Sequence, residues 1–339
     1  MLAIQPPLRG DEALLRLAQA RLAEAGLGGE FYPSSPEHLA VLMAYRPGGL
    51  ACTAHLPRSI DLLSEAGQAL ICDYATCAAG ELYGILVHDQ KAFETQPAAA
   101  ASAFEAVERR LQGIAKAPLL FVEYAAGIPL AFFATLFEQT AALQHVCAAI
   151  DVSHVAIHFC RQTYAAQHRG DDVCALRPDS PELRDRLAAV QAVVTSAQPA
   201  VVELVARLAR LHKPLHLHLH DGHPLSTLST FGVSDHLSFL QHIHIPFAYH
   251  DRQILSGIFG ISGLRALMRA AMAELNVEQL SCMLEIHPQE GRSPLGAHAH
   301  LFSHWEDQYF AERMNYWLDR LLDNSVLLRD ACALSQQPF

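Results

Sequence analysis

Short apolar runs of strand character alternate with helical patterns along almost the whole chain, and this alternation constrains the fold more than any other feature. Strands separated by helices pair in parallel through right-handed crossovers. Strand patterns fall at Ala3–Gln5, Gly26–Tyr32, Leu50–Leu56, Leu82–His88, Leu119–Tyr124, Val146–Asp151, Leu215–His220 and Leu280–Ile286. Between them lie helical patterns at Asp11–Ala25, Pro36–Tyr45, Arg58–Gln68, Ala99–Ala115, Leu130–Ala142 and Gly263–Leu275, one or two helices within Pro181–Leu211 broken near Pro199, and a closing helix at 305–328. Eight strands predict an α/β fold, a single (β/α)8 TIM barrel over 1–339. An open doubly wound sheet is the alternative. It would call for a glycine-rich phosphate loop, and no G-x-G-x-x-G is present. Two long connections, 159–180 and 221–256, read as functional loops.

The strands end in chemistry. His55, His88 and Glu123 close the third, fourth and fifth, and Asp151 closes the sixth with His154 three residues on. His218 and His220 close the seventh, and Glu285 lies near the end of the eighth. In a barrel such ends converge on one face. Carboxylates and imidazoles gathered there need a cation, and a divalent metal takes both as ligands. A buried salt-bridge network is the competing account, but few basic residues flank these positions. His216, His218 and His220 share one strand face, so at least one of them supports rather than ligates.

Composition narrows the function classes. The chain has 24 Lys plus Arg against 35 Asp plus Glu, a formal charge of −11, and no basic cluster, which disfavours a nucleic-acid partner. No apolar run reaches the length of a membrane span, and MLAIQPPLRG does not read as a signal peptide. Eight scattered cysteines without a C-x-x-C pair predict reduced thiols and a cytoplasmic location.

These motifs resemble the xylose isomerase-like barrel superfamily, which joins sugar isomerases and epimerases to AP endonucleases of the endonuclease IV type. VEYAAG (122–127) resembles its Glu-Asn-Thr-Ala-Gly turn, and IDVSH (150–154) its Asp-x-x-His motif. HLHD (218–221) resembles His-x-Asn-Asp, FGVSDHL (231–237) the segment that delivers a further Asp and His, and LEIHP (284–288) the closing Glu strand. The resemblance implies one divalent ion (Mn, Zn, Co, Fe or Mg) on Glu123, Asp151, His218 and Glu285. Glu123 and Glu285 would be the acid/base pair of an isomerase or epimerase acting on a sugar-like small molecule through an enediolate. The endonuclease type adds ligands for further zinc ions; here these would come from His55, His88, His154, Asp235 and His236, with His220 as a supporting residue. A zinc-dependent phosphodiesterase and a non-catalytic metal-binding barrel are the alternatives. A homo-oligomer is compatible with all three.

Overall fold

In the computed structural model, residues 3–5, 7–8, 12–46, 48–125, 127–171, 182–222, 236, 238–240, 243–245, 253–255, 258–286 and 311–335 are described. They divide into two compact units. The first contains Met1–Asp151, Leu204–His218 and Ala271–Leu284, and the second Val152–Glu203, Leu219–Ala270 and Glu285–Phe339.

The first unit is built on a mostly parallel, nearly closed barrel-like sheet. Its strands are β1 (Ala3–Gln5), β2 (Pro7–Leu8), β3 (Gly29–Phe31), β4 (Cys52–His55), β5 (Gly84–His88), β6 (Leu119–Tyr124), β7 (Val146–Asp151), β8 (Leu215–Leu219) and β11 (Leu280–Leu284). Their order is β1-β11-β8-β7-β6-β5-β4-β3-β2. The two ends of that order are neighbours in the chain, separated by residue 6 alone. Pairing is parallel from β2 through β8, and again between β1 and β11. The β6 and β7 strands have the bounds their apolar runs predict. Alternate residues face inward, and Leu86, Phe121, Cys147 and Ala149 form a buried cluster on that face.

Helices α1 (Glu12–Glu24), α2 (Pro36–Met43), α3 (Glu65–Ala78), α4 (Lys91–Thr95), α5 (Pro97–Leu111) and α6 (Leu130–Gln139) connect these strands. The α3 helix corrects the expectation of a helix over 58–68. Asp61 Oδ1 accepts the Leu63 N–H to make a turn, and Ser64 caps the helix by accepting the Gly67 N–H at 3.0 Å. The α5 helix is tied to the start of β7 by Glu108. This buried carboxylate accepts the N–H groups of Gln144, His145 and Val146 at 3.0, 2.8 and 3.1 Å. Burial opposes its charge, but the His145 side chain and these backbone donors outweigh it and hold its carboxyl below the usual range. Above the unfolded carboxyl value of about 4.3 the full stabilisation is present, and it is lost as pH falls through the lower folded value. Glu108→Gln should therefore cost about 1–3 kcal/mol at pH 7 and progressively less in acid. Urea midpoints of the two proteins at several pH values measure this, and a gap independent of pH would refute it.

The second unit contains α7 (Val152–Gln167), most of α8 (Leu183–Ala209), an antiparallel pair β9 (Ile243–Ile245) and β10 (Gln253–Leu255), α9 (Gly260–Met272) and α10 (Ala311–Ser335). Two sequence expectations are corrected here. The 159–180 loop is helical through Gln167, because Cys160 and Tyr164 continue the buried face of α7; residues 172–180 lie outside the described residues. Pro199 does not break α8. It removes one N–H donor, while Val190, Val193, Val194, Ala197 and Val201 bury a continuous face across it. Ala188–Ala209 is also long and apolar enough to cross a membrane by length and composition. Its buried stripe alternates with exposed Thr195, Ser196 and Glu203, the pattern of a core helix. Most of 221–256, and 305–310 of the expected closing helix, lie outside the described residues. The seven described cysteines are all free thiols.

Candidate metal centre

Parallel register builds the first cluster. His88 and Glu123 are direct partners across β5 and β6, and Asp151 and His218 across β7 and β8. His55 ends β4. The structure gathers three imidazoles around the Glu123 carboxylate. His55 Nε2 lies 2.7 Å from Oε2, His88 Nε2 3.3 Å from Oε2, and His218 Nδ1 3.2 Å from Oε1. His55, Glu123, Asp151 and His218 are all buried.

Charge and tautomer define what this cluster can hold. Burial opposes the Glu123 charge, but His218, His55 and His88 reverse the balance and hold its carboxyl well below the usual range. Burial also disfavours charge on His55, yet Glu123 raises its pKa, whereas burial dominates at His88 and lowers it. His55 Nδ1 lies 3.2 Å from the Leu56 carbonyl oxygen. A carbonyl only accepts, so Nδ1 carries a proton and Nε2 is the nitrogen directed at Glu123, where it donates to Oε2 when protonated and is free to ligate a cation when that proton is lost. Zinc ligands about 2.1 Å from the ion at tetrahedral angles sit roughly 3.4 Å apart, close to the His88 and His218 separations. One donor atom each from His55, Glu123 and His218 fall within 4.8 Å of one another. The residues therefore fit a divalent ion.

The second unit has its own cluster of His220, His236 and Glu285, with donor atoms again within 4.8 Å of one another. The His220 and His236 rings stack at 4.2 Å, and His154 on α7 lies 6.4 Å from each. His236 Nδ1 donates to the Glu285 carbonyl at 3.0 Å and His220 Nδ1 to that of Asp221 at 3.3 Å. Anchoring one ring nitrogen on a carbonyl fixes the tautomer in which the other can ligate. His236 adopts φ 50, an uncommon left-handed conformation for a non-glycine residue. Glu285 follows β11, and its N–H donates to the Leu219 carbonyl at 3.0 Å.

Of the residues expected from sequence, His55, His88, Glu123, Asp151 and His218 thus belong to the first unit, and His154, His220, His236 and Glu285 to the second. Asp235 lies outside the described residues. Sequence reasoning missed Glu30, a fully buried carboxylate on β3 whose oxygens face His216 and His218. The signal was a lone acid between Gly29 and Phe31, in a strand too short to show an apolar run.

No protein-family model matches the chain, and no curated protein gives a significant match. Among solved structures, an AP endonuclease-like one titled "The crystal structure of AsfvAP:AG" is similar over 97% of this chain and 98% of its own. The TM-score is 0.51 and the identity 11%. That likeness concerns the fold alone, an α/β barrel-like architecture.

Proposed function

We propose that the chain is a metal-dependent phosphodiester hydrolase on a (β/α)8 barrel, with β1 and β2 counted together as one strand of the eight. The carrying observation is the convergence of three imidazoles on Glu123. The one-ion isomerase pattern needs neither His55 nor His88, whereas the endonuclease type does use further histidines. The fold neighbour, AP endonuclease-like by description, supports the same direction. A divalent ion supplies Lewis acidity at a phosphoryl oxygen and makes water more acidic. His55, Glu123 and His218 would hold it, with His88 against the same carboxylate and Asp151 as the next acid in register. Leu56 fixes the His55 ring so that Nε2 faces inward.

The acidity of the chain, −11 overall, favours a second reading, the sugar isomerase or epimerase with Glu123 and Glu285 as acid/base pair. A duplex containing one abasic site and a chromogenic phosphodiester, each incubated with zinc or manganese, test the first reading. Cleavage that a chelator abolishes is expected. No cleavage of either substrate, with ketose–aldose interconversion supported by manganese, cobalt or magnesium, would replace it by the isomerase. Bound metal with neither activity would leave a non-catalytic metal-binding barrel.

A further inference from the structure

We propose a second, closed cation site inside the first unit, formed by Glu30, His216 and His218 and suited to zinc. Apart from His218 it uses none of the residues on which the hydrolase reading rests.

Glu30, His216 and His218 are all 0% exposed. Thr53, the register partner of Glu30 on β4, donates its hydroxyl to Glu30 Oε2 at 2.7 Å. That neutral donor does not balance a buried carboxylate, which needs a positive partner. Among the described residues, only His216 and His218 face Glu30 as ion-pair partners.

The spacing suits ligands of one ion better than a hydrogen-bonded pair. His216 Nε2 lies 3.4 Å from Glu30 Oε2, and His218 Nε2 3.4 Å from Oε1. Both exceed the range of about 2.7–3.2 Å for N–H···O bonds. Among the described residues, Glu30 Oε1 and His216 Nε2 have no hydrogen-bond partner although both are buried. As ligands about 2.1 Å from zinc, donor atoms sit roughly 3.4 Å apart. One donor atom each from Glu30, His216 and His218 fall within 4.8 Å of one another. Both Glu30 oxygens face imidazoles, so a bidentate carboxylate with two nitrogens gives four donors.

The supporting partners are also in place. His216 Nδ1 lies 2.6 Å from Ser281 Oγ on β11, and Thr53 fixes the carboxylate. Hydrogen bonds of this kind orient metal ligands and raise their basicity. The Phe121 ring, 5.2 Å from His216, makes one wall apolar. His218 faces Glu30 through Nε2 and Glu123 through Nδ1. The Nε2 side of His218 is thus the one that would serve the interior ion. All three ligands are shielded from solvent, so loading of this ion is expected to be coupled to folding.

The test is zinc retention by the full chain, produced with zinc and dialysed at neutral pH against excess EDTA. Elemental mass spectrometry before and after unfolding in guanidinium reads the result. About one zinc per chain should survive native dialysis and leave on unfolding. Glu30→Gln should retain none, and Glu123→Gln should retain it as the parent does. Ser281→Ala, a milder change that guards against misfolding of the first variant, should release the retained zinc about 10–100-fold faster. Complete loss of zinc from the parent under native dialysis would overturn the site. So would parental retention in both Glu30→Gln and Ser281→Ala, or equal loss in Glu123→Gln. Because the readout is stoichiometry, failure of phosphodiester cleavage leaves this result unaffected.

Discussion

Glu123→Ala should lower metal-dependent turnover by more than about 100-fold and remove the ion bound with His55 and His218. The expectation follows from the number of groups that depend on this carboxylate. His55, His88 and His218 all direct a ring nitrogen at it, at 2.7, 3.3 and 3.2 Å. Losing one partner that merely orients a ligand already costs about 10–100-fold in metal affinity or activity, and Glu123 is placed to be a ligand itself. Glu123→Gln separates charge from volume. It keeps one acceptor oxygen and fills the same space, so its fold should match the parent while its metal content falls. Turnover and metal content measured together on both variants decide the matter. A Glu123→Gln protein that keeps the parental rate and metal load would remove Glu123 from the centre. If metal falls in both variants but activity was absent in the parent, the cluster stands and the hydrolase assignment falls.

The strand ends were legible because each places an acid or imidazole where an apolar run stops. LLFVEY and VCAAID contain their strands to the residue, and Glu123 and Asp151 stand out there because a buried carboxylate demands a partner. The partners themselves were not legible. That His88 faces Glu123 depends on register between strands, and no local pattern encodes it. Glu30 escaped because β3 has three residues and follows glycines, so periodicity had nothing to act on. Conversely, 159–167 looked like loop because Arg161, Gln162 and Thr163 are polar. The helix persists because one face, Cys160 and Tyr164, is buried, which is enough to carry an amphipathic helix. The division of the histidines between two clusters arises after β8. His216 and His218 alternate inward on the strand, while His220 lies one residue past its end, where its Nδ1 reaches the Asp221 carbonyl.

Asp221→Ala should destabilise the protein by about 3–5 kcal/mol, because it leaves three buried backbone N–H groups without their acceptor. The Asp221 carboxylate is 1% exposed and accepts three backbone N–H groups. Oδ1 takes Gly222 at 2.8 Å and Phe259 at 2.9 Å, and Oδ2 takes Gly260 at 2.8 Å. Two of these donors lead into α9, so the side chain joins the segment after β8 to the start of that helix. The Ile258 N–H donating to the Gly222 carbonyl at 3.0 Å closes the same turn. Burial pushes the Asp221 carboxyl above its usual range, and the three N–H groups offset only part of that. Alanine would leave all three donors without an acceptor in a buried setting, at about 1–3 kcal/mol each before relaxation. Asparagine keeps one acceptor oxygen but turns an N–H₂ group toward a donor, so Asp221→Asn should fall between parent and alanine. Urea denaturation gives the stabilities, and amide exchange at Phe259 and Gly260 reports whether the turn opens locally. Because Asp221 also fixes the carbonyl that anchors His220, any divalent ion taken up by His220, His236 and Glu285 should be held more weakly in the same order. A loss below about 1 kcal/mol for alanine, with unchanged exchange at those two amides, would show that the turn holds without its carboxylate.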